Sequence, residues 1–166
     1  MTTLITGGTG FIGAEIARML VGQGEDVHVA HRSGNLGRLE GIADQVQLHQ
    51  FDLSVSGSAS ALLAKVAPER LFHFGAILTA PGEEDPQALL QANAAGFIET
   101  IEAARTAGTR QMIFASSIGT YGRDTGGGTI TDLTLQRPHS VYGVSKVSVS
   151  YTHLRAHETR EDLVWR

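Results

Sequence analysis

The chain has no cysteine, 4 prolines and 1 tryptophan in 166 residues. Without cysteine there is no disulfide framework, no thiolate metal site and no thiol nucleophile. No uncharged apolar run is long enough for a transmembrane helix, and the N-terminus lacks the basic stretch and apolar core of a signal peptide, so the expectation is a cytoplasmic protein. Basic residues are also scarce. Lys+Arg number 13 against 17 Asp+Glu, for a net charge of -4, which argues against a broad phosphate-neutralising surface and so against nucleic-acid or anionic-membrane partners. A small-molecule substrate remains open. A length of 166 residues with 42% hydrophobic content suffices for one domain with a real core and nearly excludes two. Glycine is abundant at 20 residues but has no collagen-like period, so its placement carries the information.

Thr2–Thr6 is short, β-branched and followed directly by GGTGFIGAEIARMLVGQG, which reads as strand, tight turn and helix. Further strands are predicted at Asp26–Ala30, Gln45–Phe51, Arg70–Ala76 and Arg110–Ser116. Helical patterns lie between most of them, at Val55–Val66, stopped near Pro68, and at Pro86–Ala107, with proline in the first turn and Gly108 at the end. Ile77–Pro86 and Gly122–Ser140 read as loops that follow strand ends. Alternating strands and helices imply right-handed crossovers and a doubly wound, Rossmann-like α/β fold with a parallel sheet in the order 3-2-1-4-5. Ligands of such sheets bind outside the carboxyl ends of the strands.

Chemistry enters at Thr6-Gly7-Gly8-Thr9-Gly10-Phe11-Ile12-Gly13. Glycines here permit a tight turn, close backbone approach to a pyrophosphate and close packing of helix on strand, while the helix N-terminus supplies amide donors. The expected ligand is a dinucleotide, NAD or NADP. An NAD site usually carries an acid at the end of the second strand, but Ala30-His31-Arg32 stands there. Arg32 suits a 2'-phosphate or an adenine face, which tilts the choice towards NADP; a solvated arginine in a turn is the alternative.

Tyr142 and Lys146 stand four apart on a predicted helix, hence on one face, where the ammonium can stabilise a phenolate and equip the tyrosine for acid–base work on a hydroxyl or carbonyl. Tyr121 and Tyr151 lack that partner, since Thr125 and Arg155 occupy the corresponding places. Ser116 and Ser117 follow the fifth strand and can orient a substrate oxygen, or serve as ordinary turn residues.

Together these residues resemble the extended short-chain dehydrogenase/reductases, the NAD-dependent epimerase/dehydratase family, over about Thr2–Val147. The resemblance rests on TGGTGFIG, on Asp52-Leu53 in FDL, on His73-Phe74-Gly75-Ala76 beside the cofactor, on Asn93 in NAAG, on SSIGTYG and on YGVSK. It implies cofactor contacts at Gly7, Gly10, Phe11, Ile12, Gly13, Asp52, Leu53, Gly75, Ala76 and Asn93, with Asp52 at adenine and Asn93 supporting the active-site backbone. It implies Tyr142 as acid/base, Lys146 as its partner and nicotinamide-ribose anchor, and Ser117 rather than Ser116 as the substrate's hydrogen-bond partner. It further implies a homodimer for the full-length protein. The loops look most like the L-threonine 3-dehydrogenase subgroup. Nucleotide-sugar epimerases or dehydratases, and a non-catalytic NAD(P)-binding module, are the alternatives.

The expected organisation is an NAD(P)-binding domain over residues 1–148 and a non-native tail over 149–166. Members of the family continue into a substrate lobe, whereas SVSYTHLRAHETREDLVWR resembles translated sequencing adapter, so a fragment without turnover is expected. His153 and His157 stand at i, i+4 beside Glu158, but the order is not HExxH and no third ligand is evident, so no metal site is expected.

Overall fold

A computed structural model describes residues 1–126, 128–131 and 133–158, with side chains described as far as Ser150. The chain divides into two compact units: Met1–Ala76 with Glu99–Ala115, and Ile77–Ile98 with the described residues from Ser116 on.

The first unit holds a 5-stranded sheet in the order β3-β2-β1-β4-β5, formed by β1 (Thr2–Thr6), β2 (Asp26–His31), β3 (Gln47–Gln50), β4 (Arg70–His73) and β5 (Gln111–Phe114). Every neighbouring pair is parallel, as the alternation of strands and helices predicts. Successive side chains of β1 leave on opposite faces and seed separate cores. Leu4 joins Ala30, Leu71, Phe51 and residues of α2 (Ser58–Val66) and α5 (Phe97–Thr106). Ile5 joins Val27, Val29 and the Ala14, Ala17 and Leu20 stripe of α1 (Phe11–Gly22). β1 and β2 thus carry apolar side chains on both sheet faces, as a sheet covered on both sides requires.

β1 matches its sequence pattern and β2 runs one residue further, to His31, whereas β3, β4 and β5 are shorter than theirs. β4 ends at His73 because the Gly75 amide turns back to Thr6 Oγ1, at 3.3 Å, and so leaves the ladder. The edge strand β3 starts at Gln47, two residues later than expected. At that edge His28 and His49 stack with 5.1 Å between ring centroids, and Nδ1 of His28 lies 2.9 Å from Nε2 of His49. Burial lowers the pKa of His49, and the neighbouring His28 adds to the effect.

In the second unit, Ile77–Pro86 contains a short helix, α3 (Thr79–Glu84), where a loop was expected. Glycine at 82 is required there, since a Cβ would run into the Leu89 side chain. The expected single helix from Pro86 is interrupted. α4 (Pro86–Leu90) passes into a π-turn at Gln91–Gly96 before α5 begins. α6 (Val141–Glu158) runs through the boundary expected at residue 148, with Val149 buried. Residues 159–166 of the expected tail, and the side chains of His153 and His157, lie outside the described residues. Among the described residues, no helix is long and apolar enough to cross a membrane.

Candidate functional site

The residues singled out from sequence fall into two sets, one in each unit. In the first unit, parallel register brings the carboxyl ends of the strands to one edge of the sheet: Thr6 pairs with Ala30 and with His73, and His31 pairs with Gln50. Gly7, Arg32, Asp52 and Gly75 therefore all emerge from that edge.

The turn after β1 is built by backbone alone. Gly7 has φ of +66°, and a Cβ on it would stand 2.7 Å from the Gly75 amide nitrogen. A Cβ on Gly13 would enter the Gly7 carbonyl oxygen. Side chains are thus excluded on both sides of the turn, and β1, α1 and the β4 end close on one another. Gly10 precedes α1 with no side-chain cap, and the first turn carries no acid. The amides of that turn and the helix dipole remain available to an anion, as the pyrophosphate of a dinucleotide requires. The Phe11 and Ile12 side chains are 83% and 54% exposed, so any part these two residues play at a phosphate passes through their amides.

Thr6 Oγ1 joins this turn to the next strand end: it lies 3.0 Å from His73 Nδ1 and accepts the Gly75 amide. Asp52 sits in a tight turn in which Ser54 donates both its amide, at 2.9 Å, and its hydroxyl, at 2.7 Å, to Oδ1. These bonds from Ser54, with a further contribution from the Arg32 charge, hold the Asp52 carboxyl below its ordinary pKa. Arg32 is exposed and Leu53 is half-buried against the core. Ala76 closes the unit's first segment.

The second unit assembles Ser117, Tyr142, Lys146 and Asn93. Ser117 Oγ accepts the Gly119 amide at 3.1 Å, capping a single 3-10 turn. Gly119 lies beside the Tyr142 ring, since a Cβ there would stand 3.8 Å from Cδ1, and a Cβ on Gly143 would meet the Gly119 carbonyl oxygen. The serine turn and the first turn of α6 are in direct backbone contact. Ser116 is turned elsewhere, with its hydroxyl 3.4 Å from that of Ser150.

Lys146 follows Tyr142 by one helical turn and is 8% exposed, with Nζ 5.8 Å from the Tyr142 ring centroid. Burial lowers the ammonium's pKa. Such an ammonium favours a neighbouring anion, which is what a phenolate at Tyr142 requires.

Asn93 occupies the π-turn and acts on backbone. Its Oδ1 accepts the Ile77 amide and its Nδ2 donates to the Ile77 carbonyl, both at 2.8 Å, with Ser145 Oγ 3.5 Å from Nδ2. A π-turn displaces one residue from the helical ladder and is a frequent device at functional sites.

Sequence reasoning missed two contributors. Glu83 Oε1 accepts the Val141 amide at 2.8 Å and so caps the helix carrying Tyr142, and Ser140 Oγ accepts the Gly143 amide at 3.0 Å. The Ser140 cap was legible as a serine three residues before Gly143. Nothing in the local sequence marks Glu83, which lies 58 positions from Val141.

Residues 3–163 match the family described as NAD dependent epimerase/dehydratase. The UDP-glucose 4-epimerase of Mycolicibacterium smegmatis is 32% identical over 155 residues, which cover 89% of this chain and 49% of that protein. The Thermus thermophilus UDP-glucose 4-epimerase in complex with NAD superposes with a TM-score of 0.85 at 28% identity, covering 99% of this chain and 53% of the other. The L-threonine dehydrogenase of Clostridium difficile gives 0.81 at 25% identity, covering 95% and 49%. The chain spans about half the length of the curated relatives it matches. With a doubly wound sheet, a glycine turn and a match that runs nearly end to end, this chain belongs to the NAD dependent epimerase/dehydratase family.

Proposed function

We propose that this chain supplies the cofactor-binding and proton-transfer machinery of an NAD(P)-linked enzyme that works at a secondary alcohol or ketone. The observation that carries this reading is Lys146, an ammonium kept 8% exposed one turn from Tyr142. Gly7, Gly10, Gly13 and the first amides of α1 hold the pyrophosphate, Asp52 and Arg32 meet the adenosine end, and Gly75 and Ala76 line the strand end beside it. A nicotinamide cofactor held there would supply hydride acceptance and donation at the substrate carbon.

The remaining chemistry belongs to side chains of this chain. Tyr142 takes the hydroxyl proton as the alcohol becomes a ketone and returns it in the reverse direction. Lys146 stabilises the phenolate form electrostatically. The Ser117 hydroxyl donates to the substrate oxygen and keeps it facing Tyr142. Asn93 fixes the Ile77 backbone and supports the π-turn behind α6.

Oxidation of L-threonine is the finer reading, supported by the loop resemblance and by the Clostridium difficile dehydrogenase. Redox-neutral interconversion of UDP-sugars is the second, favoured by relatives named UDP-glucose 4-epimerase. NAD and NADP titrations of this chain, followed by turnover assays of the full-length protein, test both. Net NADH formation with L-threonine supports the first, and UDP-glucose to UDP-galactose conversion without net NADH supports the second. Tyr142→Phe is expected to lower either turnover by about 100-fold or more with cofactor affinity changed less than about twofold. Unchanged turnover in that variant overturns the mechanism.

A further inference from the structure

α2 begins without a cap of its own. Its N-cap is Gly57, at φ of 83° and with no side chain to accept the first amides. The adjacent hydroxyl, Ser58 Oγ, is committed elsewhere: it donates to the Asp52 carbonyl oxygen at 2.6 Å. The acceptor that the helix lacks comes from α5, Glu99 lying 42 positions beyond Gly57. Glu99 Oε2 accepts the Gly57 amide at 3.0 Å, and Oε1 accepts those of Ala59 at 3.2 Å and Ser60 at 3.4 Å. A carboxylate in that position meets both the unpaired donors and the positive end of the helix dipole.

We infer that Glu99 is a positioning residue for Asp52, and through it for the adenine end of the cofactor; this rests on the dinucleotide reading above. The linkage is continuous. Glu99 holds the first turn of α2, Ser58 in that turn holds the Asp52 carbonyl, and the Val55 amide closes on the same carbonyl at 3.2 Å. Ser54 then occupies Oδ1 of Asp52. Oδ2 lies outside that set of bonds and is the oxygen left to accept from an adenine amine. Release of Glu99 frees the α2 end, and the Asp52 turn loses the element against which it is braced. Affinity for adenine-bearing ligands falls while affinity for the nicotinamide half does not.

The test uses the full chain with Glu99→Ala, Glu99→Gln, Asp52→Asn and the Glu99→Ala/Asp52→Asn pair. Hydrogen exchange without ligand reads the brace: amides of residues 54–61 should exchange at least about tenfold faster in Glu99→Ala, with those of α1 unchanged. Titrations with AMP and with nicotinamide mononucleotide read the consequence. Glu99→Ala should weaken AMP by about five- to tenfold and nicotinamide mononucleotide by less than about twofold. Glu99→Gln, which keeps one acceptor oxygen, should fall between. The double variant should bind AMP no more weakly than Asp52→Asn alone. Unchanged AMP affinity in Glu99→Ala, equal losses for both ligands, or additive losses in the double variant each overturn the inference and leave the dinucleotide reading standing. A wild-type chain that binds neither NAD nor AMP overturns that reading, and the adenine role with it.

Discussion

The glycine turn of the first unit and the polar caps of the second hold their candidate residues by different means. In the first, position is set by what is missing. Gly7 and Gly13 allow backbone to lie against backbone, and the strand register delivers each loop to the same sheet edge. In the second, position is set by polar side chains that reach for backbone: Asn93 to Ile77, Glu83 to Val141, Ser140 to Gly143 and Ser117 to Gly119. A parallel sheet satisfies its backbone through the ladder, whereas helices and turns outside a sheet leave end groups that side chains must meet. The glycine turn should accordingly be sensitive to added volume, and the Asn93, Glu83 and Ser140 contacts to lost hydrogen bonds.

The largest expected break is Gly13→Val. Its side chain would have to displace the Gly7 carbonyl and the Gly8 Cα, the latter 2.7 Å from an ideal Cβ, so α1 cannot keep its place on β1. Stability should drop by about 3 kcal/mol and NADH affinity by more than about 100-fold. Denaturant melts and fluorescence titration check both, and near-wild-type binding would remove the backbone-cradle account.

An intermediate effect is expected for Asn93→Ala. Both Ile77 backbone groups lose their partner, at a cost of about 2 kcal/mol. In the full-length protein turnover should fall more than cofactor affinity, because the first unit is untouched. Equal losses of both would erase the contrast between the units.

The smallest effect sharpens the contrast from the other side, since the first unit also contains a polar clamp. Arg70 pairs with Glu25 and holds its carboxyl below the ordinary value of 4.5, with Thr3 as a further donor. A folded pKa below the unfolded one contributes stability above about pH 4.5, and that contribution is lost as pH falls through the folded value. Thermal melts of Glu25→Gln should therefore depend less steeply on pH below 5 than those of wild type. The two proteins should also lie closer together at pH 3 than at pH 7.

Much of the fold was legible because it follows from periodicity. The α1 stripe could be read directly, the strand order came with the doubly wound fold class, and Tyr142 and Lys146 do lie one turn apart on α6. The failures have physical causes. TAPGEE at Thr79–Glu84 shows no apolar period, yet it forms a helix whose Gly82 seats Leu89. Pro86–Ala107 reads as one helix because its composition is uniformly helical. The π-turn holds Asn93, whose side chain bonds to Ile77, a contact 16 positions away that no local window contains. Gly75 and Ala76 look like strand, but Thr6 Oγ1 captures the Gly75 amide and ends the ladder. Short-range order was visible, and long-range polar capture was not.

The parallel register also makes the sheet edge modular. The turn that carries Arg32 begins where β2 ends, and its neighbours on the sheet are fixed by ladder bonds that stop at His31. Residues 32–35 are exposed and contribute nothing to either core. On the dinucleotide proposal, Arg32→Asp is therefore expected to move the NADP-to-NAD affinity ratio towards NAD as a local exchange of one turn against an unchanged frame, which paired titrations of the two cofactors check.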